Sequence, residues 1–194
     1  MHRPVLVTAA TVLPVLVDDV KLALRVDGSD LDADIDRLIR SAVAHYEGWG
    51  GVLGISLVEQ TWRQDFDRFE QRMPLPVGPV TDIVSVTYRN AAGSESTVDD
   101  SNYALKQDAG GRFFARFIND FSTPSDLYEE AAVSIEYKAG WPLGEDDAST
   151  VPADIKTAII LFVQKHVDEA ARENSAMLDR IERDLASKYR LHTV

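Results

Sequence analysis

The 194-residue sequence contains no cysteine. Disulfide frameworks, thiolate zinc sites and cysteine nucleophiles are therefore excluded. The chain is also poor in positive charge, with 20 Lys and Arg against 32 Asp and Glu and a formal net charge of −12. Because nucleic-acid affinity comes largely from cation–phosphate contacts, we expect no surface that grips DNA. Negative charge would instead suit a surface past which DNA slides without sticking.

Long apolar runs are missing too. No stretch approaches the ~20 consecutive apolar residues that cross a bilayer, so we expect no membrane partner. The opening "MHRPVLVTAATVLPVLVDD" has a short basic start and an apolar run, as a secretion signal does. Pro4 and Pro14 interrupt that run, and the small-residue cleavage pattern is poor. The favoured interpretation is an extended arm over residues 1–15 or an edge strand, with a secretion signal as the alternative.

Motifs for catalysis and metal binding are lacking as well. The histidines fall in four separate segments of the chain: His2, His45, His166 and His192. None has ligand spacing to another. Asp30, Asp32 and Asp34 begin like a calcium loop, but the glycine that such a loop requires next is replaced by Ile35. These acids are therefore interpreted as helix-capping and dipole-compensating groups.

One pair of acids keeps a catalytic alternative open. Asp65 and Asp67 share one face of a predicted strand and could work together as acids, although a solvated strand face is the favoured interpretation. No nucleophile elbow and no phosphate-binding loop is present. We therefore expect no enzyme activity, no metal and no cofactor.

The sequence does contain helical patterns at both ends. Near the start, Leu16, Val20 and Leu24 recur at helical spacing, and Gly28 can supply a left-handed exit. A second apolar stripe follows it: Leu31, Ile35, Leu38, Ala42, Tyr46 and Trp49. Two helices joined by a tight link should pack as a hairpin over residues 16–50.

Two further helices are predicted over residues 150–190, followed by a tail at residues 191–194. The first has Pro152 in its opening turn and a middle that is apolar nearly all round, so it should be the central helix of a bundle. The second carries four apolar or aromatic residues in register: Leu178, Ile181, Leu185 and Tyr189. Together with the N-terminal pair, these helices predict a four-helix bundle.

Between the helical segments, residues 51–141 change to a period of two. Three stretches place apolar residues on one face of a predicted strand: Val58, Trp62 and Phe66; Val84, Val86 and Tyr88; Val133, Ile135 and Tyr137. This alternation indicates an antiparallel sheet with one buried and one wet face. Pro74, Pro76 and Pro79 fix φ and withhold backbone donors, so the chain is predicted to reach the second stretch in one extended approach and in one register. The predicted fold class is α+β, a four-helix bundle with a central antiparallel β-rich insertion.

The chain resembles the head–tail connector proteins of tailed bacteriophages, prophages and gene transfer agents. The matching segments occur in the same order: "VLVT", "VKLALRVDGSDLDADIDRLIRSAVAHYEGWGG", "QTWRQDFDRF", "PLPVGPVTDIVSVTYRN", "NYAL", "VSIEYKAGW" and "VPADIKTAIILFV". The resemblance covers residues 5 to 170, and its most specific parts are "LRVD", "QTW" and the pattern VP-DIK-AI. The region after Ala170 departs from the family pattern.

The resemblance implies a structural function. Family members form a ring of about twelve subunits beneath the portal vertex, and closed rings arise from heterologous contacts. The implied partners are other copies of the chain, the portal protein, and a stopper or tail-completion protein, with DNA passing through the channel without specific binding. The implied location is the neck of a virion or phage-like particle made in the bacterial cytoplasm. The alternatives are another neck or tail-completion protein, or a protein-binding module outside any virion.

The end of the chain, "SKYRLHTV", is a basic, aromatic segment on an acidic protein. Arginine and tyrosine are favoured interface anchors, so this segment is predicted to contact the portal. The candidate contact residues are Lys188, Tyr189, Arg190, Leu191 and His192. A frayed terminus is the alternative interpretation.

Overall fold

The computed structural model describes residues 2–191. This part of the chain forms eight strands: β1 (Val5–Thr8), β2 (Gln60–Phe66), β3 (Arg72–Leu75), β4 (Val80–Arg89), β5 (Glu95–Thr97), β6 (Tyr103–Gln107), β7 (Phe113–Phe117) and β8 (Val133–Ala139). It also forms five α-helices: α1 (Val17–Leu24), α2 (Asp32–Tyr46), α3 (Ala153–Val167), α4 (Glu169–Glu173) and α5 (Ser175–Ser187). The α+β class is confirmed.

The chain divides into two compact units. Residues 2–9 and 59–140 form the β unit, and residues 10–58 and 141–191 form the helical unit. The finer division into arm, hairpin, insertion, C-terminal helices and tail stays a prediction. None of the helices within residues 2–191 is long and apolar enough to cross a membrane.

The β unit contains two antiparallel sheets, one of five strands in the order β1-β2-β8-β4-β5 and one of three in the order β3-β7-β6. Strand β8 lies at the centre of the larger sheet, where Val133, Ile135 and Tyr137 are fully buried. The residues between them are partly exposed, as the alternation predicts. Residues 5–8 pair with β2 and form an edge strand. The antiparallel sheet is therefore confirmed.

Strand β4 departs from the predicted alternation. Val86 is fully buried, but Val84 is 48% exposed. The pairing with β8 shifts register between Val80 and Asp82 and again between Ile83 and Ser85, so each shift inserts one extra residue. Such a bulge leaves its extra residue unpaired and interrupts the alternation of faces. The prediction that Val84 shares the buried face of Val86 is wrong for this reason.

The proline-rich stretch before β4 leads from one sheet to the other. Pro74 lies within β3, opposite Phe114 of the three-stranded sheet. The Gly78–Pro79 peptide bond is cis and immediately precedes β4 of the five-stranded sheet. The stretch is therefore a strand and a turn rather than a single extended approach to β4.

The turn between β6 and β7 is organised by one carboxylate. Asp108 accepts hydrogen bonds from the backbone N–H groups of Gly110 (2.9 Å) and Arg112 (3.0 Å). It also accepts from the guanidinium groups of Arg72 (2.7 Å) and Arg112 (3.0 Å). These bonds, led by the one from the Arg112 backbone, lower the pKa of Asp108 to about 2. Because Arg72 lies on β3, the carboxylate ties all three strands of the small sheet together.

The core of the helical unit lies around α3. This helix contacts each of the other four, and Ile155, Ala158, Ile159 and Val163 are fully buried on it. Buried residues of the segments that precede and follow residues 59–140 in sequence, among them Ile55 and Val151, complete the same core. A helix that is apolar on several sides must be covered on several sides, which explains the central position predicted for it.

The helical segments near the two ends of the chain differ in detail from the predicted two pairs of helices, and the four-helix bundle is not confirmed. The C-terminal segment contains three helices, because the Asp168 side chain accepts a hydrogen bond from the Ala170 N–H (2.9 Å) and caps a new helix after α3. At the other end of the chain, Arg25 (φ 56°) takes the left-handed exit of α1 that was predicted for Gly28. Gly28 (φ 77°) lies in a second left-handed position three residues later.

The bulge in β4 gives a direct test. Replacing Val86 by alanine should lower the free energy of unfolding by about 2–3 kcal/mol, because it removes buried methyl groups and leaves a cavity. The same change at Val84 should cost about 0.5 kcal/mol or less, as for most exposed sites. Urea unfolding of the two variants measures both values. Equal losses would contradict the register described for β4.

The stability of the three-stranded sheet should fall at low pH as Asp108 becomes protonated. The folded-state pKa of Asp108 is about 2 against an ordinary value of 3.8. Its contribution to stability is thus fully present above pH 3.8 and is lost as the pH falls towards 2. We expect Asp108→Asn to remove that part of the acid destabilisation. Carboxyl-carbon NMR measures the pKa directly, and a value near 3.8 would refute the proposed bonding.

Candidate functional site

The acid pair considered for catalysis serves as a set of hydrogen-bond acceptors. Asp67 accepts from His2 Nε2 (2.7 Å) and from the Ala131 N–H (3.0 Å). These two bonds, His2 first, lower the pKa of Asp67. A general acid at neutral pH needs the opposite shift. Asp65 accepts from Ser134 Oγ (2.7 Å), which belongs to the neighbouring strand β8.

Two further described histidines, His45 and His166, are exposed and make only local contacts. His166 Nδ1 is 2.7 Å from the carbonyl oxygen of Phe162, one helical turn earlier. The His45 ring lies 6.0 Å from the Phe162 ring, measured between centroids. His192 lies outside the described residues. Within residues 2–191, no group of three or more histidine or carboxylate side chains is arranged to hold a metal ion.

The segment proposed for the portal contact packs against the helical unit itself. The Lys188 ammonium bonds the carboxylate of Asp154, and the Tyr189 hydroxyl lies 3.4 Å from the same carboxylate. The Tyr189 ring stands edge-on to Trp141, with centroids 5.9 Å apart.

The backbone continues this packing beyond Tyr189. The Leu191 N–H donates to the Leu53 carbonyl oxygen (2.9 Å), while Arg190 is exposed. The structure thus brings Lys188, Tyr189 and Leu191 together in internal contacts. Their contact with a portal stays a prediction, and His192 is not described.

A buried polar cluster joins three helices of the same unit. Glu182 on α5 is only 7% exposed. One of its carboxylate oxygens accepts from the Tyr46 hydroxyl of α2, and the other accepts from the Lys165 ammonium of α3. Lys165 also donates to Asp179 (2.5 Å). A buried carboxylate is tolerated only when it is paired and hydrogen-bonded, and both conditions are met here.

The contacts in the cluster shift the pKa values of Tyr46, Lys165 and Asp179. Burial, followed by the hydrogen bond to Glu182, raises the pKa of Tyr46, so its hydroxyl stays protonated and donates. Burial acts to lower the pKa of Lys165, but the hydrogen bonds to Asp179 and Glu182 outweigh it and the pKa is raised. The hydrogen bond from Lys165 in turn lowers the pKa of Asp179.

The sequence does not predict this cluster, because two adjacent positions on α5 fit the helical spacing of its apolar stripe equally well. Ile181 and Glu182 both lie near the stripe that contains Leu178 and Leu185. The apolar residue was assigned to the buried face, but Ile181 is 41% exposed and Glu182 is buried. The sequence signal that could have pointed to the cluster is a glutamate, Glu182, at a position that fits the apolar stripe. Its burial is explained only by its partners Tyr46 and Lys165, which lie on other helices.

Next to the cluster lies a cavity of about 480 Å³. Its apolar lining comes from the loop after α2 and from α3: Val52, Leu53 and Phe162. Its cationic lining residues are Lys165, Arg183 and Arg190, against the carboxylates of Asp179 and Glu182. Although the whole chain has a net charge of −12, the lining of this cavity contains more cationic than acidic side chains. The cavity is therefore suited to an apolar group carried by an acidic partner.

Comparison with known proteins finds solved structures that share the fold of this chain. No protein-family model and no curated protein matches the chain. A chain in the neck of an empty gene transfer agent particle, computed with C6 symmetry, is 20% identical and has a TM-score of 0.75, covering 100% of this chain and 97% of that one. A chain in the virion of a native gene transfer agent particle is 22% identical with a TM-score of 0.72, covering 98% and 96%.

A third chain, in the neck of a native particle computed with C12 symmetry, is 20% identical with a TM-score of 0.68 and covers 98% and 97%. At these identities the likeness shows a common fold over the whole length of the chain. The resemblance drawn from the sequence is confirmed at the level of the fold, including the region after Ala170 that the sequence segments did not match.

The buried cluster predicts unequal effects for two acids on α5. Glu182→Ala should lower the free energy of unfolding by about 3 kcal/mol or more, because it removes the buried partner of Lys165 and Tyr46. Asp179→Ala is a matched control, since Asp179 bonds the same lysine but its side chain is 50% exposed. It should cost about 1 kcal/mol or less. Thermal or urea unfolding decides, and equal losses would contradict the bridging role of Glu182.

Proposed function

We propose that this protein is a head–tail adaptor, a subunit of a ring in the neck of a gene transfer agent or related phage-like particle. The observation that carries the proposal is the full-length likeness to chains found in the necks of such particles. The likeness extends over both units of the chain rather than over one of them. The symmetry of those necks supports an assembly of several copies around an axis.

The charge of the chain supports a place around the DNA path. A net charge of −12 repels phosphates, and a channel wall should let DNA pass without holding it. The ring would thus connect the DNA-filled head to a stopper or tail-completion protein and form part of the channel. The role is structural, with no catalysis. A tail-completion protein elsewhere in the neck is the second candidate, because the neighbours belong to the neck as a whole.

The portal contact is proposed through the exposed groups at the end of the helical unit. Lys188 is 56% exposed at its side chain, and Arg190 is exposed. Tyr189 and Leu191 support these two residues through their packing on Trp141 and Leu53. Removing the whole segment would therefore disturb the fold as well as the contact. Single changes at Lys188 and Arg190 are the appropriate probes of portal binding.

Deleting the gene in the particle-producing cell tests the proposed function. We expect filled or leaking heads beside separate, complete tails, because the junction between them is missing. Electron microscopy counts joined particles, free heads and free tails. A plasmid copy of the wild-type gene should restore joined particles and serves as the control. Normal joined particles in the deletion strain would refute the adaptor role.

A further inference from the structure

Helix α1 carries an exposed apolar residue in acidic surroundings. Leu22 is 83% exposed, more than any other large apolar side chain among the described residues. Asp18, four positions earlier and also exposed, lies on the same helical face. Residues 16–40 contain seven aspartates against four cations. Lys21, Arg37 and Arg40 pair with three of the aspartates, and the segment keeps an excess of negative charge. This surface has the chemistry that the cavity of the helical unit would accept, namely an apolar group with carboxylates beside it.

The two surfaces belong to one unit but to different parts of it. The cavity is lined from α2, α3, α5 and adjoining segments, and no α1 residue is among its described lining residues. A contact between Leu22 and the cavity is therefore a contact between two copies of the chain. Because the contact joins two different surfaces, it leaves one of each free on every dimer and can continue around a ring.

We propose that Leu22 of one copy inserts into the cavity of the next copy, with Asp18 facing Arg183. The inference rests on the proposed function, since it names the contact that would build the ring. A cavity of about 480 Å³ lies within the size range of ligand pockets and has room for one leucine side chain. An apolar side chain entering a groove from a helical face is a common mode of recognition. Arg183 is exposed on α5 and lines the cavity, where its charge already acts on Asp179. Because its guanidinium is exposed, it can also donate to an incoming carboxylate.

Thiol cross-linking tests the contact, and the absence of native cysteine removes background from this chain. The double variant Leu22→Cys, Val52→Cys places one thiol on α1 and one at the cavity, where Val52 is 44% exposed. It is supplied as the only gene copy in the producing cell, and purified particles are treated with a short bismaleimide. We expect a ladder of dimers, trimers and higher multiples of this chain on a denaturing gel.

Two controls separate the proposed contact from other geometries. Leu22→Cys alone should give no ladder, because only one of the two contacting surfaces then carries a thiol. Leu22→Cys with Met177→Cys moves the second thiol to a residue of α5 that is 60% exposed and does not line the cavity. The amount of cross-linked multimer should be less than a tenth of that from the Leu22→Cys, Val52→Cys variant. Equal ladders from both double variants would overturn the inference.

The outcomes distinguish this inference from the proposed function. Particles that contain the double variant but yield no ladder, or cross-links only to a different protein, would overturn the Leu22 contact and leave the adaptor role standing. Particles that lack this chain altogether, with the wild-type gene present, would overturn both.

A charge exchange decides the matter if the cysteine variant does not enter particles. Asp18→Arg and Arg183→Asp should each lower the yield of joined particles at least tenfold, since each places like charges opposite one another. The two changes together should restore most of that yield. Circular dichroism confirms that each variant folds, as expected for exposed positions. Wild-type yields from both single variants, or no recovery in the double variant, would overturn the inference.

Discussion

The helical unit depends on one buried carboxylate that must have partners from two other helices. Glu182 and Tyr46 are 136 positions apart in the chain, yet their side chains share a hydrogen bond in the core. Burying a charge costs several kcal/mol unless it is paired and hydrogen-bonded. Glu182 is therefore tolerated only where α2, α3 and α5 meet in one register. Residues 59–140 of the β unit lie between α2 and α3 in sequence, so the partners of Glu182 come from segments on both sides of that stretch of chain.

The same constraint shapes the surface beside it. Lys165 is held by Glu182 and Asp179, and its charge is largely neutralised within the cluster. Arg183 and Arg190 remain exposed at the cavity and supply its excess of positive charge. A protein of net charge −12 thus keeps a small cationic, partly apolar site next to its most constrained core contact. A site lined mainly by packed helices is suited to holding a neighbouring subunit, because little conformational entropy is lost on binding.

The β unit obeys a different constraint. Its small sheet is tied by the four hydrogen bonds to the Asp108 carboxylate, and its large sheet is built around the fully buried face of β8. The bulges in β4 turn Val84 outwards and leave Val86 on the buried face. These features hold the two sheets of the β unit in register, and the likeness to chains in gene transfer agent necks covers this unit as well.

The sequence alone determined the features whose physics is local. The alternation of β8, the stripe of α2 and the apolar middle of α3 follow from the periods of strand and helix, and the structure shows each of them. The net charge and the lack of cysteine likewise needed no structure. Only the tertiary structure decided that Glu182 and not Ile181 is buried, that Val84 is exposed, and that Tyr189 packs on Trp141. Each of these depends on a partner far away in the chain, and a periodic pattern carries no information about such partners.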